Sequence, residues 1–185
     1  MDTDALSTTQ ISSNSLKSFE EKSPETNALP ELLQFQIIPS TDAMLPLTKF
    51  AEILKVPISQ VVPIPHMPAY VMGVYNWRGT VLWILDLGLL LGMMPCHKYQ
   101  GARSAHSALV IERKDESSTL QQLGLVIHEV VDTVQIDPST LKALELSNLP
   151  KSFTQFLSGY WMNDKGEVLA VLDDKAILDY MPSDM

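Results

Sequence analysis

The chain has 185 residues, of which 45% are hydrophobic and 19% are charged, and its 13 Lys and Arg against 22 Asp and Glu give a net charge of −9. This length fits one domain or two small barrels that share an interface, and the composition excludes a chain that is disordered throughout. The acidic balance argues against binding to nucleic acid or to anionic lipid, because such binding needs a basic face. The single cysteine, Cys96, excludes an internal disulfide and a Cys-rich zinc site, and it fits a reducing cytoplasm.

Residues 1–30 are rich in Ser, Thr, Glu, Asn and Lys and show no sustained hydrophobic period, so we expect a disordered tail. The first ten residues contain neither the basic nor the apolar region of a secretory signal. The most apolar stretch, residues 81–94, is shorter than the roughly 18–20 residues of a membrane helix. We therefore expect a cytoplasmic protein without direct membrane insertion.

The first half of the folded region is predicted to consist of short strands. Residues 33–37 alternate in polarity and predict a strand, and residues 45–54 form either a strand or one helical turn. Four prolines follow between residues 57 and 68 and exclude a helix, because each lacks a backbone N–H. Residues 70–75 and 80–85 are aromatic and β-branched runs, and residues 76–79 (NWRG) between them predict a hairpin turn.

The second half repeats this character after a polar loop over residues 92–106. Residues 107–112 predict a strand, and residues 120–134 predict a strand pair or one long bent strand. Another hairpin follows over residues 160–172, and residues 173–180 predict a terminal helix. Short strands with brief helices indicate an all-β barrel or sandwich, since a parallel α/β sheet needs longer helices between its strands.

An internal repeat links the two hairpins. Residues 75–86 (YNWRGTVLWILD) and 162–173 (MNDKGEVLAVLD) share Asn, Gly, Val, Leu, Leu and Asp at matched places, and Arg78 is matched by Lys165. Residues 70–73 are matched by residues 156–159 after one inserted residue. The repeat predicts duplication, with two small barrels of similar build and a groove between them.

No residue pattern predicts an active site, a metal site or a bound cofactor. The four histidines form no metal-binding motif, and Cys96 beside His97 is predicted to lie in a loop. Asp86 and Asp173 occupy matched places at strand ends and are predicted to cap the turns that follow. A small hydrolase that uses Asp86, His128 or Cys96 is the weakest alternative.

The hairpin turn is the candidate contact site. Trp77 lies in the predicted turn, where burial in the core is awkward, and Trp and Arg are favoured at binding hot spots. The alternative is a Trp77 that lies across the barrel edge beside a solvated Arg78.

Residues 68–87 (PAYVMGVYNWRGTVLWILDL) resemble the signature of CheW-like proteins, in which an Asn-x-Arg-Gly run is followed by an Asp. Residues 50–53, 123–134 and 156–159 also resemble motifs of this family, so that the resemblance spans about residues 32–180. Trp83 replaces the usual Pro of the signature and Trp77 the usual Leu. The Gly-rich turn common after the first strand is absent.

The resemblance implies an all-β fold of two SH3-like five-stranded barrels, with short helices and a C-terminal helix, over residues 31–182. It implies a non-enzymatic adaptor between the signalling tips of chemoreceptors and the regulatory domain of a CheA-type histidine kinase. The seam between the barrels would take a receptor helical hairpin. The alternative is an adaptor of a type IV pilus, surface-motility or other two-component pathway. The expected partner-binding residues are Glu52, Asn76, Trp77, Arg78 and Gly79.

Overall fold

The computed structural model describes residues 29–99, 103–114, 120–142 and 151–181. Residues 1–28, which make up nearly all of the predicted tail, lie outside the described residues. In the described ranges the protein is mostly β-structure with a few short helices, which confirms the predicted fold class.

The elements follow one another as short strands joined by turns and single helical turns. The strands are β1 (Glu31–Ile38), β2 (Thr41–Pro46), β3 (Phe50–Pro57), β4 (Val71–Trp77), β5 (Thr80–Asp86), β6 (Ala105–Lys114), β7 (Leu120–Ile127), β8 (Glu129–Gln135), β9 (Leu157–Met162) and β10 (Val168–Leu172). The helices are α1 (Leu87–Leu90), α2 (Cys96–Tyr99), α3 (Lys151–Thr154) and α4 (Asp174–Asp179). Within the described ranges, 3-10 turns lie at Leu47–Lys49, Ile58–Gln60 and Pro138–Thr140.

The strands form two five-stranded sheets, each curled as a half-barrel. Barrel one has the order β3-β6-β7-β5-β4, and barrel two has the order β8-β1-β2-β10-β9. Both contain one parallel pair, β5 with β7 and β10 with β2, and their other strand pairs are antiparallel. The two barrels therefore have the same connectivity, with the N-terminal hairpin β1–β2 completing the C-terminal barrel.

The internal repeat corresponds to matched backbone contacts in the two barrels. The Asp86 amide donates to the Tyr70 carbonyl over 2.8 Å, and the Asp173 amide donates to the Phe156 carbonyl over 2.9 Å. The Tyr70 position thus matches the Phe156 position, as the sequence alignment of the halves predicts.

The central strands are buried on both faces. In β6, Leu109 faces a core shared by the two barrels, whereas its neighbour Val110 faces the interior of barrel one. Phe35 of β1 reaches the shared core from the opposite barrel, and all three side chains are fully buried. Successive side chains of a strand point to opposite faces, so continuous apolar runs here serve two cores at once.

The predicted loop over residues 92–106 differs from the structure, whereas the predicted terminal helix agrees with it. The predicted polar loop over residues 92–106 contains α2, and β6 already begins at Ala105. The stretch 120–134, predicted as a strand pair or one long bent strand, is divided at His128 into two strands that belong to different sheets, β7 to barrel one and β8 to barrel two. The terminal helix is present as α4, from Asp174 to Asp179.

Candidate functional site

The hairpin turn between β4 and β5 is shorter than predicted. Trp77 pairs with Thr80 across the hairpin, so only Arg78 and Gly79 form the turn, with φ of 52° and 85°. Two consecutive positive φ values are typical of two-residue hairpin turns that match the twist of the strands. The Asn76 side-chain oxygen accepts a hydrogen bond from the Gly79 amide over 3.0 Å, and this bond holds the turn. Asn76 and Trp77 belong to β4, which corrects the four-residue turn predicted from the sequence.

Trp77 is buried, and the prediction of a surface Trp in the turn is wrong. Its side chain is 9% exposed and packs in the interior of barrel one with Leu82 and Val110. The short turn extends strand pairing through Trp77, and strand alternation then points the ring inward. Its indole N–H has no hydrogen-bond partner among the described residues. The Trp77 ring instead forms a cation–π contact with Arg78 in the turn, because the Arg78 guanidinium carbon lies 5.0 Å from the ring centroid.

The structure brings Glu52 to the hairpin turn. Glu52 on β3 forms an ion pair with the Arg78 guanidinium, although 26 residues separate the two in the sequence. β3 and β4 are the two edge strands of the barrel-one sheet, so the pair bridges the edges of the half-barrel. The Arg78 side chain is 69% exposed and that of Glu52 is 30% exposed. A pair this exposed contributes at most about 1 kcal/mol to stability, which leaves both charges available to a partner.

Gly79 and Val81 complete an exposed surface around this pair. A Cβ built at Gly79 meets nothing within 4 Å, so the backbone there is open to solvent. Val81, paired with Asn76 across the hairpin, is 68% exposed. We call Glu52, Asn76, Arg78, Gly79 and Val81 the turn surface. Sequence reasoning missed Val81. The internal repeat aligns it with Val168, which is also exposed, by 56%, in the second barrel.

The second unusual tryptophan lies away from the turn surface. Trp83 of β5 is partly buried and packs against the shared core. Both departures from the family signature, Trp77 and Trp83, thus contribute to packing, and neither reshapes the turn surface directly.

A groove lies on barrel two. Its volume is about 210 Å³. It is lined by residues from the start of β2, from α3 and from β9 and β10, namely Ser40, Thr41, Asp42, Phe153, Leu157, Tyr160, Val168 and Ala170. Phe153 and Leu157 also pack against the shared core, so the groove adjoins the contact between the barrels. Its mixture of aliphatic, aromatic and hydroxyl groups suits an amphipathic helix.

Both capping predictions are confirmed. The Asp86 carboxylate accepts a hydrogen bond from the Leu89 amide over 3.0 Å at the start of α1. The Asp173 carboxylate accepts one from the Ala176 amide, also over 3.0 Å, at the start of α4. Asp86 additionally accepts a bond of 2.6 Å from the Cys96 amide, which ties α2 to the end of β5.

Asp86, Cys96 and His106 form a buried polar cluster. The Cys96 sulfur lies 3.9 Å from His106 Nε2, and all three residues are at most 4% exposed. Burial and the nearby Asp86 charge raise the pKa of the Cys96 thiol to about 12, and burial lowers the pKa of His106. A nucleophilic cysteine needs a depressed pKa and access to substrate, so this cluster is structural. Within the described ranges, no group of three His, Cys, Asp or Glu residues could hold a metal ion.

We expect the Cys96 thiol to be inert in the folded protein. Its pKa of about 12 and its 2% exposure leave almost no accessible thiolate between pH 7 and 9. Labelling with a disulfide reagent should therefore proceed at the rate of unfolding, and it should accelerate at least about 100-fold in denaturant. Rapid labelling under native conditions would contradict the described burial.

Among the described residues, no helix is both long and apolar enough to cross a membrane.

Comparisons with known proteins agree with this architecture. The model of the CheW-like domain family matches residues 31–181. The chain is 61% identical over 74 residues to the chemotaxis protein CheW of Rhizobium meliloti, which is 40% of this chain and 42% of that protein. It is also 61% identical over 31 residues to the probable chemotaxis protein CheW of Rhizobium etli, 17% of this chain and 20% of that protein. The matched segments thus span less than half the length of these relatives.

A solved structure has the same fold. The scaffolding protein TtCheW from Thermoanaerobacter tengcongensis superposes with a TM-score of 0.63 at 18% identity, over 78% of this chain and 89% of that one. Proteins of the CheW-like family are adaptors and scaffolds rather than enzymes. The chain belongs to the CheW-like domain family, because the family model covers nearly all of its described residues and the duplicated barrels have the expected build.

Proposed function

We propose that this protein is a non-enzymatic adaptor that couples chemoreceptors to a CheA-type histidine kinase in a cytoplasmic signalling array. The observation that supports the proposal is the pair of exposed features on different barrels, each of which could hold a partner. The turn surface lies on barrel one, and the groove of about 210 Å³ lies on barrel two. An adaptor needs two such surfaces, because it must hold two partners at the same time.

The turn surface is assigned to the kinase regulatory domain. Its charged pair is supported by Trp77 and flanked by the exposed Val81, so that charge and apolar area lie side by side. Such a surface suits a protein partner, in which an apolar contact provides affinity and a charge fixes orientation. Arg78 can pair with a partner carboxylate while Glu52 keeps it extended. Asn76 and Gly79 act by holding the turn geometry.

The groove on barrel two is assigned to the receptor helical hairpin. Tyr160, Leu157 and Val168 provide an apolar wall, and Asp42 provides a polar rim beside it. Helices that bind in grooves insert apolar side chains spaced one turn apart and leave their polar face at the rim. The family resemblance implied this contact at the seam between the barrels. The groove adjoins that seam, although the residues lining it all come from barrel-two elements and α3.

The test is capture of the purified kinase regulatory domain by wild-type protein and by Arg78→Glu. Reversal of this charge places two carboxylates together at the turn and removes the cation offered to the kinase, so we expect at least about 10-fold weaker binding. Lys165→Glu is the matched control, because Lys165 occupies the equivalent turn position in barrel two. It should bind as wild type does.

Two outcomes would count against the proposal. Equal binding by folded Arg78→Glu and wild type removes Arg78 from the contact. Failure of the wild-type protein to bind the cognate regulatory domain, with an intact fold, rules out the adaptor function itself. Circular dichroism of each variant distinguishes lost contact from lost fold.

A further inference from the structure

The proposed function makes no use of the acidic N-terminal segment. Residues 1–28, which lie outside the described residues, contain five Asp and Glu and two Lys and Arg. Three of the five acidic residues lie in residues 16–25 (LKSFEEKSPE), together with the apolar Leu16 and Phe19. A contact between this segment and the barrels of the same chain needs no second molecule, because covalent linkage gives it a high effective concentration.

The two barrels differ in net charge. Residues 47–127, which include every barrel-one strand, contain seven Lys and Arg and five Asp and Glu. Residues 29–46 and 128–185, which include every barrel-two strand, contain four Lys and Arg and twelve Asp and Glu. An acidic segment is therefore attracted to barrel one and repelled by barrel two.

The outer face of β3 combines exposed apolar area with a cation. Side chains alternate along this strand, so that Ala51, Ile53 and Lys55 share the exposed face. Ile53 is 41% exposed. The Lys55 ammonium group donates a hydrogen bond of 2.6 Å to the Ser107 hydroxyl, which positions it. Lys55 makes no ion pair with another described residue, so its charge is available to an anion.

Arg103 adds a second cation at the same end of the strand. It is exposed, and the carbonyl of the next residue, Ser104, accepts a hydrogen bond of 3.0 Å from the Ile58 amide. Ile58 directly follows β3 and is 38% exposed. Arg103 likewise makes no ion pair within the described ranges. We call Ile53, Lys55, Ile58 and Arg103 the β3 patch.

The N-terminal segment joins the fold close to the start of β3. The start of β1 pairs with Pro46, and Phe50 at the start of β3 follows four residues later, so the junction lies within about 20 Å of β3. Lys55 lies about 17 Å further along the strand. Glu20 and Glu21 precede β1 by ten or more residues, which span about 35 Å when extended. These glutamates can therefore reach Lys55 while the chain between them and β1 follows β3 back to Phe50.

We propose that residues 16–25 dock on the β3 patch of the same chain and form an autoinhibitory contact. The glutamates of the segment face the two cations of the patch, and Leu16 and Phe19 cover its two isoleucines. Glu52 of the turn surface belongs to the same strand, so the docked segment lies beside the turn surface and competes with a partner that binds there. The contact itself goes beyond the proposed function, and only the competition rests on that function.

Paramagnetic broadening of amide signals in the full chain tests the contact. A nitroxide label attaches selectively to the Ser18→Cys protein, because the native Cys96 thiol is buried. We expect the label to reduce the amide signals of Ile53 and Lys55 at least about 3-fold, since tethering gives the contact an effective concentration of about 1 mM. Salt at about 0.5 M should restore these signals, because it screens the attraction. Labelled protein mixed with unlabelled, isotope-enriched protein should cause no broadening, because docking occurs within one chain.

Charge reversal identifies the groups that make the contact. Glu20→Lys with Glu21→Lys should abolish the broadening at β3, because like charges then face each other. Lys55→Glu with Arg103→Glu should abolish it for the same reason. The protein that carries all four substitutions should regain the broadening, because its reversed charges are complementary again.

A matched control separates this contact from a general effect of net charge. Lys165→Glu with Lys175→Glu makes the same charge change at exposed positions of barrel two and should leave the broadening unchanged. Absence of broadening at the β3 patch, with an intact fold, overturns the proposal. Equal broadening of both barrels also overturns it, as does failure of the fourfold variant to regain the contact.

Capture of the kinase regulatory domain tests the competition. The Glu20→Lys, Glu21→Lys protein keeps the turn surface intact, and it should bind the domain at least about 3-fold more tightly than wild type, because the fraction of accessible turn surface rises. Equal binding by the two proteins overturns the inhibitory role. The broadening experiments contain no kinase, so they decide the contact whether or not the regulatory domain binds.

Discussion

Asp86→Ala is expected to destabilise the protein by about 3 kcal/mol, against about 1 kcal/mol for Asp173→Ala. Both carboxylates cap a helix, but Asp86 is 3% exposed and also accepts the Cys96 amide over 2.6 Å. Its removal leaves that buried N–H without a partner and opens a void beside His106. Asp173 is less buried, and its carboxylate accepts a single described bond, from the Ala176 amide. Urea unfolding followed by circular dichroism gives both values.

The stability losses of the two substitutions can be compared directly, because Asp86 and Asp173 occupy equivalent positions in the repeat. If the two Ala substitutions lower the free energy of unfolding equally, the hydrogen bond from the Cys96 amide to Asp86 contributes nothing to stability. The buried cluster would then be only a consequence of packing. Asp86→Asn, which keeps an acceptor oxygen, should recover part of the loss.

Gly73→Ala is expected to destabilise the protein by about 4 kcal/mol, against about 1 kcal/mol for Gly79→Ala. A Cβ at Gly73 would lie 2.2 Å from the Val62 carbonyl oxygen, and φ at this position is +141°. The segment at Val62 pairs with Val74 and would have to move away from the sheet. At Gly79 φ is +85° but a Cβ meets nothing within 4 Å, so only backbone strain remains.

Guanidinium unfolding with tryptophan fluorescence measures both changes, since Trp77 reports on the interior of barrel one. A loss below about 1 kcal/mol for Gly73→Ala would mean that the Val62 segment is held loosely. The Gly79→Ala protein should bind the kinase regulatory domain as wild type does, because a Cβ at this position meets no neighbouring atom that would change the turn.

Much of the fold follows from local sequence patterns. The alternating runs, the hairpin signal in residues 76–79, and the capping positions of Asp86 and Asp173 depend on residues close together in the chain. Local chemistry decides such features, because turn conformation and capping involve neighbouring backbone groups. The repeat then predicted two barrels of similar build, which is the architecture observed.

The contacts that make the candidate site depend on pairings over long distances in the chain. Glu52 meets Arg78 only because β3 and β4 become opposite edges of one curled sheet. The sequence pattern NWRG predicts a four-residue turn that contains Trp77. In the structure, strand pairing continues to Trp77 and Thr80, so Trp77 belongs to a strand. Strand alternation fixes a face only after the register is known, and a shift of one residue reverses it.

Local sequence patterns were enough to predict the class of fold, the duplication, the two caps and the hairpin that carries Arg78. The completion of the second barrel by β1 and β2, through the parallel pairing of Ala43 with Ala170, became visible in the folded chain alone. The burial of Trp77 and the contact between Glu52 and Arg78 likewise depend on the folded arrangement of the strands. Local propensities act over a few residues, whereas these features depend on which strands become neighbours when the shared core is buried.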